Sequence, residues 1–277
     1  MTKQLITRVG IILLAGLLVQ WEGAVAQDAD VKSQRPLVFV ITGESNSGGS
    51  GKNSSASEKE RSKRSCVQIM NLTDGKFGFE DMQLGVNNLR DHSKMTEPFL
   101  STRHGFENEL ANSVEANAFP GHKHVYLIKT GHGGSRISQW TEDNPSGYWK
   151  KFEQRIEAGK KQLSANPQWV VWFSLGINDA LAKTPVSQWK KETRVHLKRI
   201  QAELPGSIIV MTQFESMGFP KFNAAIAEIA NTEPNVFAVN SKEAALTDIY
   251  HWSYAGLKTV TQRMIGVTQK ALNTNNE

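Results

Sequence analysis

The sequence predicts an α/β fold in which a parallel sheet is covered by helices on both faces. Five short runs of β-branched and aromatic residues recur along the chain, each apolar almost without interruption, and segments with helical apolar spacing lie between them. Turn residues bound each run. Continuous apolar runs are what strands buried on both faces require, and right-handed crossovers put a helix on one face after each strand.

Residues 37–41, Leu-Val-Phe-Val-Ile, are bounded by Pro36 and by Thr42-Gly43 and form the first predicted strand. The stretch 46–65 is rich in Ser, Gly and Lys and reads as a long surface loop leaving the site. Its densest basic run, residues 59–64, is interrupted by acid and reads as solvated rather than phosphate-binding. Residues 91–103 carry Pro98 without periodicity and read as a second loop near the mouth. Further strands are expected at 124–129, 169–175, 207–213 and 236–240, and helices at about 106–118, 148–163, 186–204, 222–230 and 254–272. The sequence shows no internal repeat or heptad pattern.

The 277 residues suit one α/β domain, and 39% hydrophobic with 21% charged residues is a soluble globular composition. The N-terminus differs in kind. Lys3 and Arg8 precede the apolar run 9–19, and Ala24-Val25-Ala26 offers the small residues a signal peptidase reads, so residues 1–26 are expected to be a signal peptide and 27–277 a single exported domain, secreted or periplasmic. That run is shorter than the roughly 20 residues a membrane-crossing helix needs, so no stable membrane span is expected after its removal. Cys66 is the single cysteine, so no internal disulfide is expected. A formal charge of +5 is moderate for this length and does not suggest nucleic-acid binding.

In a parallel α/β sheet the binding crevice lies beyond the carboxyl ends of the strands. Ser45 follows the first predicted strand, Gly133 and Gly134 the second, and Asn178 the third, so all emerge at one edge. Ester hydrolysis needs a hydroxyl activated by a base, and donors aimed where charge develops on the carbonyl oxygen. Ser45, after the turn-permitting Gly43, is the candidate nucleophile, with helix capping as the alternative role. His251 is the candidate base and Asp248 its orienter, fixing the tautomer that leaves the other ring nitrogen free. Asn178 offers a neutral amide donor, or a turn residue, and Gly133 or Gly134 a backbone N–H.

These blocks, Glu44-Ser45-Asn46, the glycine loop, Gly176-Ile177-Asn178-Asp179 and Asp248-Ile249-Tyr250-His251, resemble in order the conserved blocks of the SGNH (GDSL-like) hydrolase superfamily. More narrowly, residues 43–49, 129–140 and Gly105-Phe106-Glu107 resemble its sialate O-acetylesterase branch, which includes acetyl xylan esterases. The resemblance implies a three-layer α/β/α sandwich with a five-stranded parallel sheet, flavodoxin-like. It implies a Ser45 acyl-enzyme, His251 as base, Asp248 as its support, and an oxyanion hole from the Ser45 N–H, a glycine N–H (Gly133 or Gly134) and the Asn178 side chain. Neither a metal nor an organic cofactor is implied. Position 44 is Glu where the acetylesterase branch usually carries Gln and the lipolytic branch Asp, and Gly176-Ile177-Asn178-Asp179 follows the lipolytic pattern.

Trp140, Trp149 and Trp252 are candidate faces for a sugar ring. Glu44, His132 and Arg136 are further candidates for contact with substrate, Arg136 or His132 through hydroxyls or a carboxylate. The expected function is a serine esterase removing O-acetyl or other short acyl groups from a carbohydrate. A lipolytic esterase or thioesterase, and a non-catalytic glycan-binding module on the same scaffold, are the alternatives.

Overall fold

In the computed structural model, which describes residues 35–88, 102–163 and 166–274, the sheet grows outward from a first strand buried at all seven positions. That strand is β1, Leu37–Gly43. A one-turn helix, Ser45–Gly48, leads to β2, Gly51–Lys52, a short helix Glu58–Arg61, and the hairpin of β3, Arg64–Thr73, with β4, Lys76–Met82. There follow β5, Arg103–His104, helix Glu107–Glu115, β6, Val125–Lys129, helix Tyr148–Gln162 and β7, Gln168–Ser174. The last third holds helices Ile177–Leu181 and Val186–Glu203, β8, Ile208–Thr212, helix Pro220–Thr232, and β9, Val236–Val239. A small hairpin, β10, Leu246–Asp248, and β11, His251–Trp252, precedes the terminal helix Tyr254–Thr274.

The central sheet runs β4-β3-β6-β1-β7-β8-β9, with every neighbouring pair parallel except β3 and β4. It has seven strands where five were expected. The five predicted strands are β1, β6, β7, β8 and β9; the two additions are the β3–β4 hairpin at one edge. Their half-buried, polar-rich positions lack the continuous apolar signature of the inner strands. Asp74 and Gly75, at φ 52 and 73, close the hairpin in the left-handed conformations that a two-residue loop favours.

Alternation along β7 divides the core into two layers. Trp172 meets Phe39 and Phe106, and its ring N–H donates to Thr268 of the terminal helix at 3.2 Å. Phe173, next in the chain, meets His196 of helix Val186–Glu203, which also packs on Trp149 of helix Tyr148–Gln162. Consecutive residues thus contact helices on opposite faces, as the predicted sandwich requires.

The stretch 46–65 is less loop-like than expected. Asn46, Ser47, Ser50 and Asn53 are buried, and Arg64 is enclosed at the start of β3, where its guanidinium donates to Glu115 at 2.9 Å and to Asn112 at 2.9 Å. Arg64 is therefore a core ion-pair partner rather than part of a solvated run. The expected signal peptide and most of the second loop, 91–103, fall outside the described residues. Among the described residues, no helix is long and apolar enough to cross a membrane.

Candidate active site

β1 lies between β6 and β7, so the crossover from β6 to β7 makes the strand order reverse at β1 and opens a crevice beyond its carboxyl end. Gly43 sits there at φ 124, and a Cβ on it would fall 2.0 Å from the Ser174 carbonyl oxygen, so glycine alone fits. Glu44 follows in extended conformation, its N–H donating to Ser174 O at 2.8 Å. The chain then closes one turn, with Gly48 N–H donating to Glu44 O and Gly49 N–H to Ser45 O. Ser45 opens this turn, partly exposed.

The hairpin of β10 and β11 brings Asp248 and His251 opposite one another. His251 Nδ1 lies 2.9 Å from both Asp248 carboxylate oxygens, and its Nε2 lies 2.9 Å from Ser45 Oγ. Burial raises the Asp248 carboxyl, but the Tyr250 N–H, donating at 2.9 Å, and the His251 ring outweigh it and hold the group below its usual range. An ionised carboxylate only accepts, so the ring proton belongs on Nδ1 and Nε2 is left to accept from the serine. The row can deprotonate Ser45 as its oxygen attacks a carbonyl carbon.

Asn46, absent from the sequence-based candidates, ties the nucleophile turn to that hairpin. Its Nδ2 donates to Tyr250 O at 3.0 Å and its Oδ1 accepts from Trp252 N–H at 3.1 Å. Its place directly after Ser45 was the signal available in sequence. Lys129 and Glu107 are a second support: a buried pair at 2.8 Å, in which Lys129 Nζ also donates to Gly48 O at 2.8 Å. Glu107 further accepts from Gly105 N–H and from the Asn88 side chain, which helps offset the cost of burying both charges.

The loop after β6 is stitched to the end of β1. His132 N–H donates to Gly43 O at 2.8 Å, and Thr130 N–H to Ile41 O at 2.9 Å. Gly133 is buried in this loop, Gly134 and Arg136 are exposed, and Gly134 adopts φ 79. His132 is enclosed, its ring stacked on Tyr148 at 4.0 Å, so it supports the loop and offers no open face to a substrate. Ile137 N–H donates to the buried Asp179 carboxylate at 3.0 Å, which fastens the loop to helix Ile177–Leu181. Burial pushes the Asp179 carboxyl up to about 6 even with that donor.

Asn178 stands half-exposed at the start of that helix. Its backbone N–H donates to Glu44 Oε2 at 3.1 Å and its side-chain Nδ2 to the same oxygen, while Ile177 N–H donates to Glu44 Oε1 at 2.9 Å. Glu44 is fully enclosed, which corrects its assignment as a substrate contact: its carboxylate points inward to these three donors. Burial pushes this carboxyl up to about 8, with nearby Asp179 adding to the rise and the N–H donors pulling against it.

The tryptophan assignments also need correction. Trp140, Trp149 and Trp252 are 1, 2 and 0% exposed. Trp140 and Trp149 pack around His196 under the glycine loop, and Trp252 donates its ring N–H to Ser216 at 3.0 Å. Large aromatic area is worth most in the core, about 1.5–3 kcal/mol per large buried side chain, and none of the three offers a face to a sugar. Among the described residues, no group of three or more His, Cys, Asp or Glu is placed to hold a metal ion.

Solved structures share this architecture. A protein from Arabidopsis thaliana aligns with TM-score 0.64 at 17% identity, over 86% of this chain and 99% of its own. NanS aligns with TM-score 0.62 at 11% identity, over 87% of this chain and 98% of its own. A carbohydrate acetylesterase from Xanthomonas citri aligns with TM-score 0.55 at 13% identity, over 84% of this chain and 56% of its own. At such identities they establish the fold. No curated protein sequence matches significantly. The family model described as carbohydrate esterase, sialic acid-specific acetylesterase, matches residues 35–270, nearly the whole of the described chain. The chain thus belongs to the sialic acid-specific acetylesterase family of carbohydrate esterases, hydrolases of ester bonds on the SGNH-like fold.

Proposed function

We propose that the protein is an exported carbohydrate O-acetylesterase that works through an acetyl-enzyme on Ser45. The observation carrying this reading is the unbroken row of contacts from Ser45 Oγ through both ring nitrogens of His251 to Asp248. Ser45 attacks the acetyl carbonyl while Nε2 takes its proton, and Asp248 holds the ring and balances the imidazolium. The developing oxyanion is met by the Ser45 N–H, a glycine N–H from Gly133 or Gly134, and the Asn178 amide. The imidazolium gives its proton to the sugar oxygen as the acyl C–O bond breaks, so the sugar leaves as its free hydroxyl; His251 then takes a proton from a water that attacks the acetyl-enzyme, releasing acetate and restoring Ser45.

The substrate reading rests on the family, and Arg136, exposed on the glycine loop, is a positive charge available to a substrate carboxylate. Acetate release from O-acetylated sialic acid and from acetylated xylan, by the wild-type protein and by Ser45→Ala, tests the proposal. Release by wild type alone supports it. Equal release by Ser45→Ala overturns the nucleophile, and binding of either glycan without release favours a non-catalytic module. Preference for long acyl esters of one alcohol over acetate would point to the lipolytic alternative.

A further inference from the structure

Glu44 has no part in the proton transfers above, yet it is a fully enclosed carboxyl beside the nucleophile. Burying an acid is costly unless its oxygens are hydrogen-bonded, and here they are. What the carboxyl supplies is two accepting oxygens when it is ionised, and its carbonyl oxygen as an acceptor when it is protonated. Both oxygens are spent on one segment: Oε1 on the Ile177 N–H at 2.9 Å, Oε2 on the Asn178 N–H at 3.1 Å and on the Asn178 side-chain amide. The chain positions 44 and 178 belong to different crossovers and meet only because β1 and β7 pair with Gly43 opposite Ser174.

Resting on the reading of Asn178 as an oxyanion donor, we propose that Glu44 is a positioning residue: its carboxylate fixes the Asn178 amide so that the second N–H faces the carbonyl oxygen under attack at Ser45. Ser45 follows Glu44 directly, so one residue sets the distance between nucleophile and donor. Asp179 completes the arrangement from the other side, since its hold on Ile137 N–H keeps the glycine loop against the same helix. A donor that is already oriented need not reorganise as charge develops, and this is where such groups contribute most.

The substitutions separate acceptance from packing. Glu44→Leu removes both oxygens, whereas Glu44→Gln keeps one, which suffices for both Asn178 donors if it faces them. With a short acetyl ester, Glu44→Leu is expected to lower kcat about 10- to 100-fold with KM within twofold. Its ceiling is the loss in Asn178→Ala, of the order of 10²–10³ for a missing oxyanion donor. Glu44→Gln is expected to stay within about fivefold of wild type, and Glu44→Leu in the Asn178→Ala background to lose no more than a further twofold. Wild-type kcat in Glu44→Leu overturns the inference. So do losses that multiply in the double variant, or a Glu44→Gln as impaired as Glu44→Leu.

If Glu44→Leu does not fold, the nuclear magnetic resonance signal of the wild-type Asn178 side-chain amide, assigned by its absence in Asn178→Ala, decides. A slowly exchanging pair with one proton shifted downfield supports the role, and rapid exchange at the solvent rate overturns it. An inactive Ser45→Ala beside a fully active Glu44→Leu leaves the esterase proposal standing and removes this one; an active Ser45→Ala removes the esterase proposal itself.

Discussion

Replacing Asp248 tests how the base is held. Its side chain is 53% exposed, and both carboxylate oxygens lie 2.9 Å from His251 Nδ1. A hydrogen bond to a charged group contributes about 1.5–3 kcal/mol, which at about 1.36 kcal/mol per decade of rate is roughly 10- to 100-fold. Solvent at a half-open position replaces part of it, so Asp248→Ala is expected near the lower end, with water taking over at Nδ1. Asp248→Asn is expected to be worse by several-fold, although it is the closer match in shape. Its amide donates to Nδ1, which moves the ring proton to Nε2 and turns that atom from acceptor to donor against Ser45 Oγ. The assay is kcat/KM for 4-nitrophenyl acetate near pH 8, with thermal unfolding as a control. An Asp248→Asn variant as active as Asp248→Ala, or wild-type rates in both, would refute the assignment of the tautomer.

Three other outcomes follow from the same geometry. His251→Ala should lose most of the turnover, because no acceptor then stands 2.9 Å from Ser45 Oγ to take its proton; a variant within about tenfold of the wild-type rate would remove His251 as the base. Gly43→Ala should not fold, or should melt far below wild type, since its Cβ would overlap the Ser174 carbonyl at a left-handed φ. Burial raises Glu107, yet Lys129 and the other donors hold its carboxyl below the usual value of 4.5, so its stabilisation is present above that value and lost as pH falls through the folded one. The melting temperature should therefore drop more between pH 7 and pH 4 in wild type than in the apolar pair Glu107→Leu/Lys129→Met, and equal drops would refute the linkage.

The inner strands were legible because burial on both faces demands runs such as Leu-Val-Phe-Val-Ile at 37–41, a signal that survives without knowledge of tertiary contacts. The β3–β4 hairpin was not, because residues such as Gln68, Asn71 and Glu80 mix with its apolar positions and leave Asp74-Gly75 as its one local turn signal. Ser45, Asp248 and His251 could be nominated because strand-end placement gathers them at one edge. Their partners could not. Whether Trp140 faces a sugar or His196 depends on which side of a loop it occupies, and nothing local decides that. Glu44 shows the same limit: a carboxylate beside a nucleophile in sequence gives no hint that three donors from residues 177 and 178 will enclose it.

The most direct test of the account is to stop the reaction with acid during turnover of an acetyl ester and locate the acetyl group by mass spectrometry of peptides. The account predicts acetylation on the peptide containing Ser45, and none in Ser45→Ala. Acetate release at wild-type rate with the acetyl group on another residue, or undiminished release by Ser45→Ala, would contradict it.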